Sequence, residues 1–152
     1  MEPLRIKCLE NKTGADGSIY GKFVIEPLEK GYGTTLGNAV RRVLLSSLDG
    51  SAVTAVRIEG ITHEFTTVPG VVEDVIDVML NLKGLVVKTF SNEPQYLHLD
   101  IDRSGAVTGR DIMCPADATI INPDWQLCTL AEGGRIRAEI TVERGRGYVP
   151  AD

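Results

Sequence analysis

Aromatic side chains are scarce in this sequence: Phe, Trp and Tyr together make up 5% of its 152 residues. Surfaces that hold single-stranded nucleic acid by stacking bases need several such rings, so this mode is disfavoured. Positive charge is also short, with 16 Lys and Arg against 21 Asp and Glu and a net charge of −5. Duplex binding draws much of its affinity from neutralising phosphates, and the balance argues against nucleic acid as the main partner. Cysteine is limited to Cys8, Cys114 and Cys128, with no C-x-x-C pair and neither His63 nor His98 close by in sequence. Zinc ligands come in short, characteristic spacings, so the expectation is reduced, mostly buried thiols in a reducing compartment. No apolar run approaches the roughly 20 residues that span a bilayer. The opening Met1-Glu2-Pro3-Leu4-Arg5 has no apolar signal-peptide core. Together these predict a soluble, intracellular chain.

What is present is ordinary for a folded domain: 43% hydrophobic and 24% charged residues, enough for one domain or two small ones without a metal or disulfide framework. Leu4-Arg5-Ile6-Lys7-Cys8 and Lys22-Phe23-Val24-Ile25-Glu26 alternate apolar and polar side chains, the period of a half-buried strand. Asn11 to Ser18, rich in Gly, Asn, Asp and Ser, reads as the turn between them. A helix is expected over about 35–48. Leu36, Val40, Val43, Leu44 and Leu48 form its apolar stripe, Thr34 or Thr35 its N-cap, and Gly50 its left-handed end. Burying those five side chains would contribute roughly 7–15 kcal/mol as an upper figure, so this chain or a partner must cover them. Leu45 lies off the stripe, near Arg41 and Arg42.

At Ser51 the texture changes. Ala52 to Glu59 reads as a strand. A second helix is expected at about 70–82, with Pro69 at its first turn and Glu73 and Asp74 near its positive end. Its apolar face is Val72, Val75, Ile76, Met79 and Leu80, with Glu73, Asp74, Asp77 and Asn81 on the wet side. Strands follow at Leu85-Val86-Val87, Leu97 to Ile101, Ile120-Ile121 and Ile136 to Val142. Turns fall at Arg103-Ser104-Gly105, Asn122-Pro123-Asp124 and Glu132-Gly133-Gly134. The fold class is α+β, a strand–strand–helix unit followed by a strand-rich unit with one helix.

Chemical motifs are few. Gly31-x-Gly33-x-x-x-Gly37 precedes a helix, where a phosphate can bind. Its spacing matches neither the dinucleotide fingerprint nor the P-loop, and a structural turn is favoured. His63-Glu64 would point to opposite faces of a strand, and His98 falls on a polar face; both histidines read as structural or solvated. Arg135, Arg137, Arg144 and Arg146 interleave with Glu139 and Glu143, as on a solvated strand edge. Taken alone, Arg41 and Arg42 read as a solvated helix face.

The stretch from Tyr20 to Leu48 (YGKFVIEPLEKGYGTTLGNAVRRVLLSSL) closely resembles the alpha-subunit motif of bacterial RNA polymerase. The likeness continues through Ala52 to Gly60, His63-Glu64-Phe65, Gly70 to Val75, Leu80 to Leu85 and Arg144 to Ala151. It covers nearly the whole chain. The segments around Cys8-Leu9-Glu10 and Thr129 to Gly133 look most like the cyanobacterial and plastid branch of that family.

The resemblance implies a discontinuous dimerisation subdomain, whose first half is residues 1–50, interrupted by an insert subdomain at 51–146. Residues 147–152 begin the return. It implies that the helix stripe Leu36, Val40, Val43, Leu44 and Leu48 packs against a second alpha subunit as a homodimer. Arg42 and Leu45 would dock the beta subunit, and Lys83 would be a possible further subunit contact. The implied function is an assembly scaffold of DNA-directed RNA polymerase that also engages the beta-prime subunit. No catalytic residue, cofactor, metal, direct nucleic-acid contact or membrane is expected here, and the location is the cytoplasm, or the plastid stroma if plastid-encoded. The family continues past the Gly-Tyr-Val-Pro-Ala segment, so the chain ending at Asp152 is expected to be a fragment or a natural truncation. Two rivals remain: an enzyme binding phosphate at Gly31–Gly37, and an autonomous nucleic-acid or regulator-binding module at 51–146.

Overall fold

The computed structural model describes residues 2–150. Met1, Ala151 and Asp152 lie outside them, and with them the end of the 147–152 segment. The chain forms two units, Met1–Leu48 with Arg146–Asp152, and Asp49–Gly145.

The first unit opens with β1 (Arg5–Thr13) and β2 (Ile19–Glu26), an antiparallel hairpin running from Arg5 opposite Glu26 to Thr13 opposite Ile19. Both strands run past the expected segments, and the turn shrinks to the residues between them. Gly14 N–H donates to the Ser18 carbonyl at 2.7 Å, and the Asp16 carboxylate accepts from the Ser18 hydroxyl and backbone N–H. These bonds hold the Asp16 carboxyl below its ordinary pKa, the hydroxyl contributing most.

Helix α1 spans Tyr32–Ser46. It starts earlier than the sequence suggested because Gly31 takes a left-handed conformation (φ 93°), which glycine adopts without strain. Its N-cap is therefore Gly31 rather than Thr34 or Thr35, and no side chain caps it. Ser47 closes the other end, donating its N–H to Val43 O at 2.9 Å. Leu48 falls beyond the helix, and Gly50 lies in the next strand instead of ending α1. Among the described residues of this unit none is buried, so the unit has no core of its own.

The second unit holds a three-stranded sheet, β3 (Asp49–Ile58), β9 (Ile136–Arg146) and β5 (Gln95–Ile101), in the order β3-β9-β5. Two smaller antiparallel pairs join β4 (Val87–Thr89) to β7 (Ala118–Ile120) and β6 (Gly105–Thr108) to β8 (Gln126–Leu130). The expected alternation holds on the paired strands β5 and β9, where Leu97 faces Ile140 and Leu99 faces Ala138 across the ladder. Leu97, Leu127, Ile136, Ile140, Val107, Val142 and Cys128 are the largest fully buried side chains.

Helix α2 is Val75–Lys83, five residues shorter at its start than expected. Residues 70–74 are drawn to β8 instead. Val72 N–H donates to Thr129 O, and the Glu73 carboxylate accepts from the Thr129 N–H and hydroxyl at 2.7 and 2.9 Å. Asp74 becomes the N-cap, accepting from Asp77 N–H at 2.8 Å, and Pro69 stays outside the helix. Its buried face is Val75, Val78 and Leu82, whereas Val72, Ile76, Met79 and Leu80 are exposed. Asn81, expected on the wet side, reaches inward to Leu127 O.

The thiols also differ from expectation, since only Cys128 is buried while Cys8 and Cys114 are exposed. Burial, with Glu73 and Asp111 adding repulsion, pushes the Cys128 thiol up to about 11. His63 and Glu64 lie in an irregular stretch, not on a strand.

Candidate functional site

A straight helix advances about 100° per residue. On α1 this sets Leu36, Val40, Val43 and Leu44 within an arc of about 100°, a single face. Arg42 and Leu45 project from the opposite side, three residues apart and therefore neighbours on the helix surface. Leu36 is half-buried; Val40, Val43 and Leu44 are 44%, 55% and 55% exposed, and Leu45 is 57% exposed. The helix thus carries two uncovered surfaces, one wholly apolar and one pairing a cation with a leucine.

Arg42 is exposed, and among the described residues no carboxylate lies within ion-pair reach of Arg41 or Arg42. Five arginines of the second unit behave otherwise. Arg57 meets Glu139, Arg103 meets Asp111, Arg110 meets Asp124, and Arg135 and Arg137 share Asp100. Arg135, through its hydrogen bond, is the main reason the Asp100 carboxyl sits below its ordinary pKa. These five arginines each have a carboxylate partner, whereas Arg42 is an exposed cation with none among the described residues.

Lys83 ends α2 and is exposed on the second unit. It borders a shallow groove of about 190 Å³ lined by Val53, Val56, Met79 and Leu82. The exposed Ile76, Met79 and Leu80 share the outward side of α2 with it. Arg42 and Leu45 sit together on one element, whereas Lys83 belongs to another unit. Sequence reasoning did not anticipate this groove, because it assigned Met79 and Leu80 to the covered side of α2.

A larger open groove of about 450 Å³ is lined by Arg57, Glu59, His98, Arg137 and Glu139. It arises from cross-strand register, with His98 opposite Glu139 and Asp100 opposite Arg137, a pairing invisible before the strands are aligned. Both of its arginines are already paired with carboxylates. Gly33 and Gly37 lie inside α1 and do not form a loop around its start, so the Gly-rich segment does not build a phosphate cradle. Among the described residues no three His, Cys, Asp or Glu side chains converge where a metal ion would sit. No described helix is long and apolar enough to cross a membrane.

Comparison with known proteins agrees with the motif. Residues 56–152 match the model of the RNA polymerase Rpb3/RpoA insert domain. The chain is 58% identical over 144 residues to the DNA-directed RNA polymerase subunit alpha of Symbiobacterium thermophilum, covering 95% of this chain and 46% of that protein. It is 53% identical over all 152 residues to the same-named subunit of Desulfitobacterium hafniense, and covers 47% of it. A third relative, from Carboxydothermus hydrogenoformans, is 56% identical over 133 residues, 88% of this chain and 42% of that protein. The chain spans a little under half the length of these curated relatives.

Proposed function

The chain belongs to the RNA polymerase Rpb3/RpoA insert-domain family and is of the bacterial alpha-subunit type, and from that premise we propose that it serves as an assembly scaffold of DNA-directed RNA polymerase in transcription. In this reading residues 1–50 are the first half of a dimerisation subdomain and 51–146 an insert subdomain. The apolar stripe Leu36, Val40, Val43 and Leu44, continued by Leu48, packs against a second alpha subunit. Arg42 and Leu45 dock the beta subunit, Lys83 adds a subunit contact, and beta-prime joins the same assembly. The chain supplies surfaces to a nucleotidyltransferase complex, with no catalytic residue, and works in the cytoplasm.

The observation that carries the reading is α1 itself. Its two opposite faces are both uncovered, and it belongs to a unit in which no described residue is buried. An amphipathic helix needs cover on its apolar face, and Arg is enriched at the centres of protein interfaces. Two faces suit two partners at once, as a scaffold requires.

The test is co-purification of the beta subunit by the tagged chain, with Arg42→Ala beside it. Capture by the parent and loss in the variant is the expected result. Equal capture by both would remove Arg42 from the docking surface and overturn this assignment.

A further inference from the structure

Two residues outside α1 hold its C-terminal end. The helix has no basic residue in its last turn, and the last carbonyls of any helix lack partners within it. Arg146 serves the carbonyl of the C-cap residue, and Gly147 ties the residue that follows it. The Nε of Arg146 donates to the Ser47 carbonyl at 3.2 Å, and the N–H of Gly147 donates to the Leu48 carbonyl at 3.0 Å. A cation placed there also meets the negative end of the helix dipole. Gly147 is held at φ 64°, and a Cβ on it would stand 2.6 Å from the Ser46 carbonyl oxygen. Only glycine meets both conditions. The chain of contacts runs on into the helix, because the Ser46 hydroxyl donates to the Arg42 carbonyl at 2.6 Å, one turn back. Leu45 lies within that same turn.

We propose that Arg146 and Gly147 are positioning residues for the docking surface. They fix the last turn of α1 so that Arg42 and Leu45 meet a partner as a pre-ordered pair. The inference rests on the docking reading given above and deepens it. Helix ends fray unless they are tied, and a side chain on a frayed turn must be ordered at the moment of binding, which weakens association. Ordering two interface side chains corresponds to roughly a tenfold change in affinity.

The experiment uses an alpha subunit of full family length that carries these residues. Gly147→Ala, Arg146→Gln, Arg146→Lys and Arg42→Ala are compared with the parent for affinity to the beta subunit. Amide hydrogen exchange is followed in parallel at 43–48 and at 75–83. Gly147→Ala and Arg146→Gln are expected to speed exchange at Ser47, leave α2 unchanged and weaken binding about tenfold. Arg146→Lys, which keeps the charge, recovers part of the loss. Unchanged exchange at 43–48 in both variants would show that the clamp holds nothing. Faster exchange with parental affinity, while Arg42→Ala binds poorly, would overturn the positioning role and leave the docking reading standing. Parental affinity in Arg42→Ala, or a parent that captures no beta subunit, would sink the docking reading and this inference with it.

Discussion

Truncating Leu44 to alanine separates an interface stripe from a structural one. Leu44 is 55% exposed, and fully burying a leucine contributes roughly 1.5–3 kcal/mol. About half of that remains to be gained on contact, or about 1 kcal/mol per copy. In a two-fold pair the same residue acts from both sides, so Leu44→Ala should weaken the dimer by about 2 kcal/mol, a rise of about thirtyfold in its dissociation constant. The folded monomer should hardly notice, since no described residue of this unit is buried. The fully buried Ile140 makes the contrast, because its truncation to alanine would cost about 2–5 kcal/mol of folding stability. Sedimentation velocity over a dilution series reads the association. Leu45→Ala, with a similarly exposed leucine on the opposite side of α1, is the matched control and should leave the dimer intact. Equal weakening by both substitutions, or a parent that stays monomeric at every concentration, would refute the assignment of the stripe.

The ion pairs of the second unit predict a pH dependence. Asp100 has a depressed pKa in the folded state, mainly through its bond from Arg135, so its contribution is present above the ordinary carboxylate range and is lost as pH falls through the lower folded value. The stability gap between the parent and Arg135→Ala, read as urea midpoints, should therefore be wider at pH 7 than at pH 3, and a gap that does not change with pH contradicts the pairing. Thiol accessibility gives a further test. Cys128 is buried with its thiol pushed up to about 11 and should resist a disulfide reagent at pH 8 until the protein unfolds, while the exposed Cys8 reacts promptly; three thiols reacting together would place Cys128 wrongly.

The sequence by itself determined a good deal of this molecule. The alternation of Ile136, Ala138, Ile140 and Val142 placed the buried strand β9, because a strand's side chains switch faces at every residue and one face must leave water. The shared face of Leu36, Val40, Val43 and Leu44 on α1 was legible for the corresponding helical reason, while Leu48 falls past the helix end. The turn at Gly133 was marked by a residue type that its backbone requires, with φ 75°.

Tertiary structure decided the rest. Val72 extends the periodic pattern of α2 toward its N-terminus, yet the Glu73 bonds to Thr129 pull residues 70–74 toward β8. That shift begins the helix at Val75 and turns Val78 and Leu82 inward, leaving Met79 and Leu80 outside. Helical periodicity tolerates such a rotation, because several neighbouring residues are apolar and only a packing partner selects among them. Gly31 displaced the threonines as cap because its left-handed backbone can open the helix, a choice that rests on one dihedral angle and not on side-chain chemistry. The bonds from Arg146 and Gly147 to Ser47 and Leu48, just past α1, join residues about 100 positions apart, beyond any local pattern. Local sequence fixes which residues must leave water, and contacts distant along the chain fix where each of them goes.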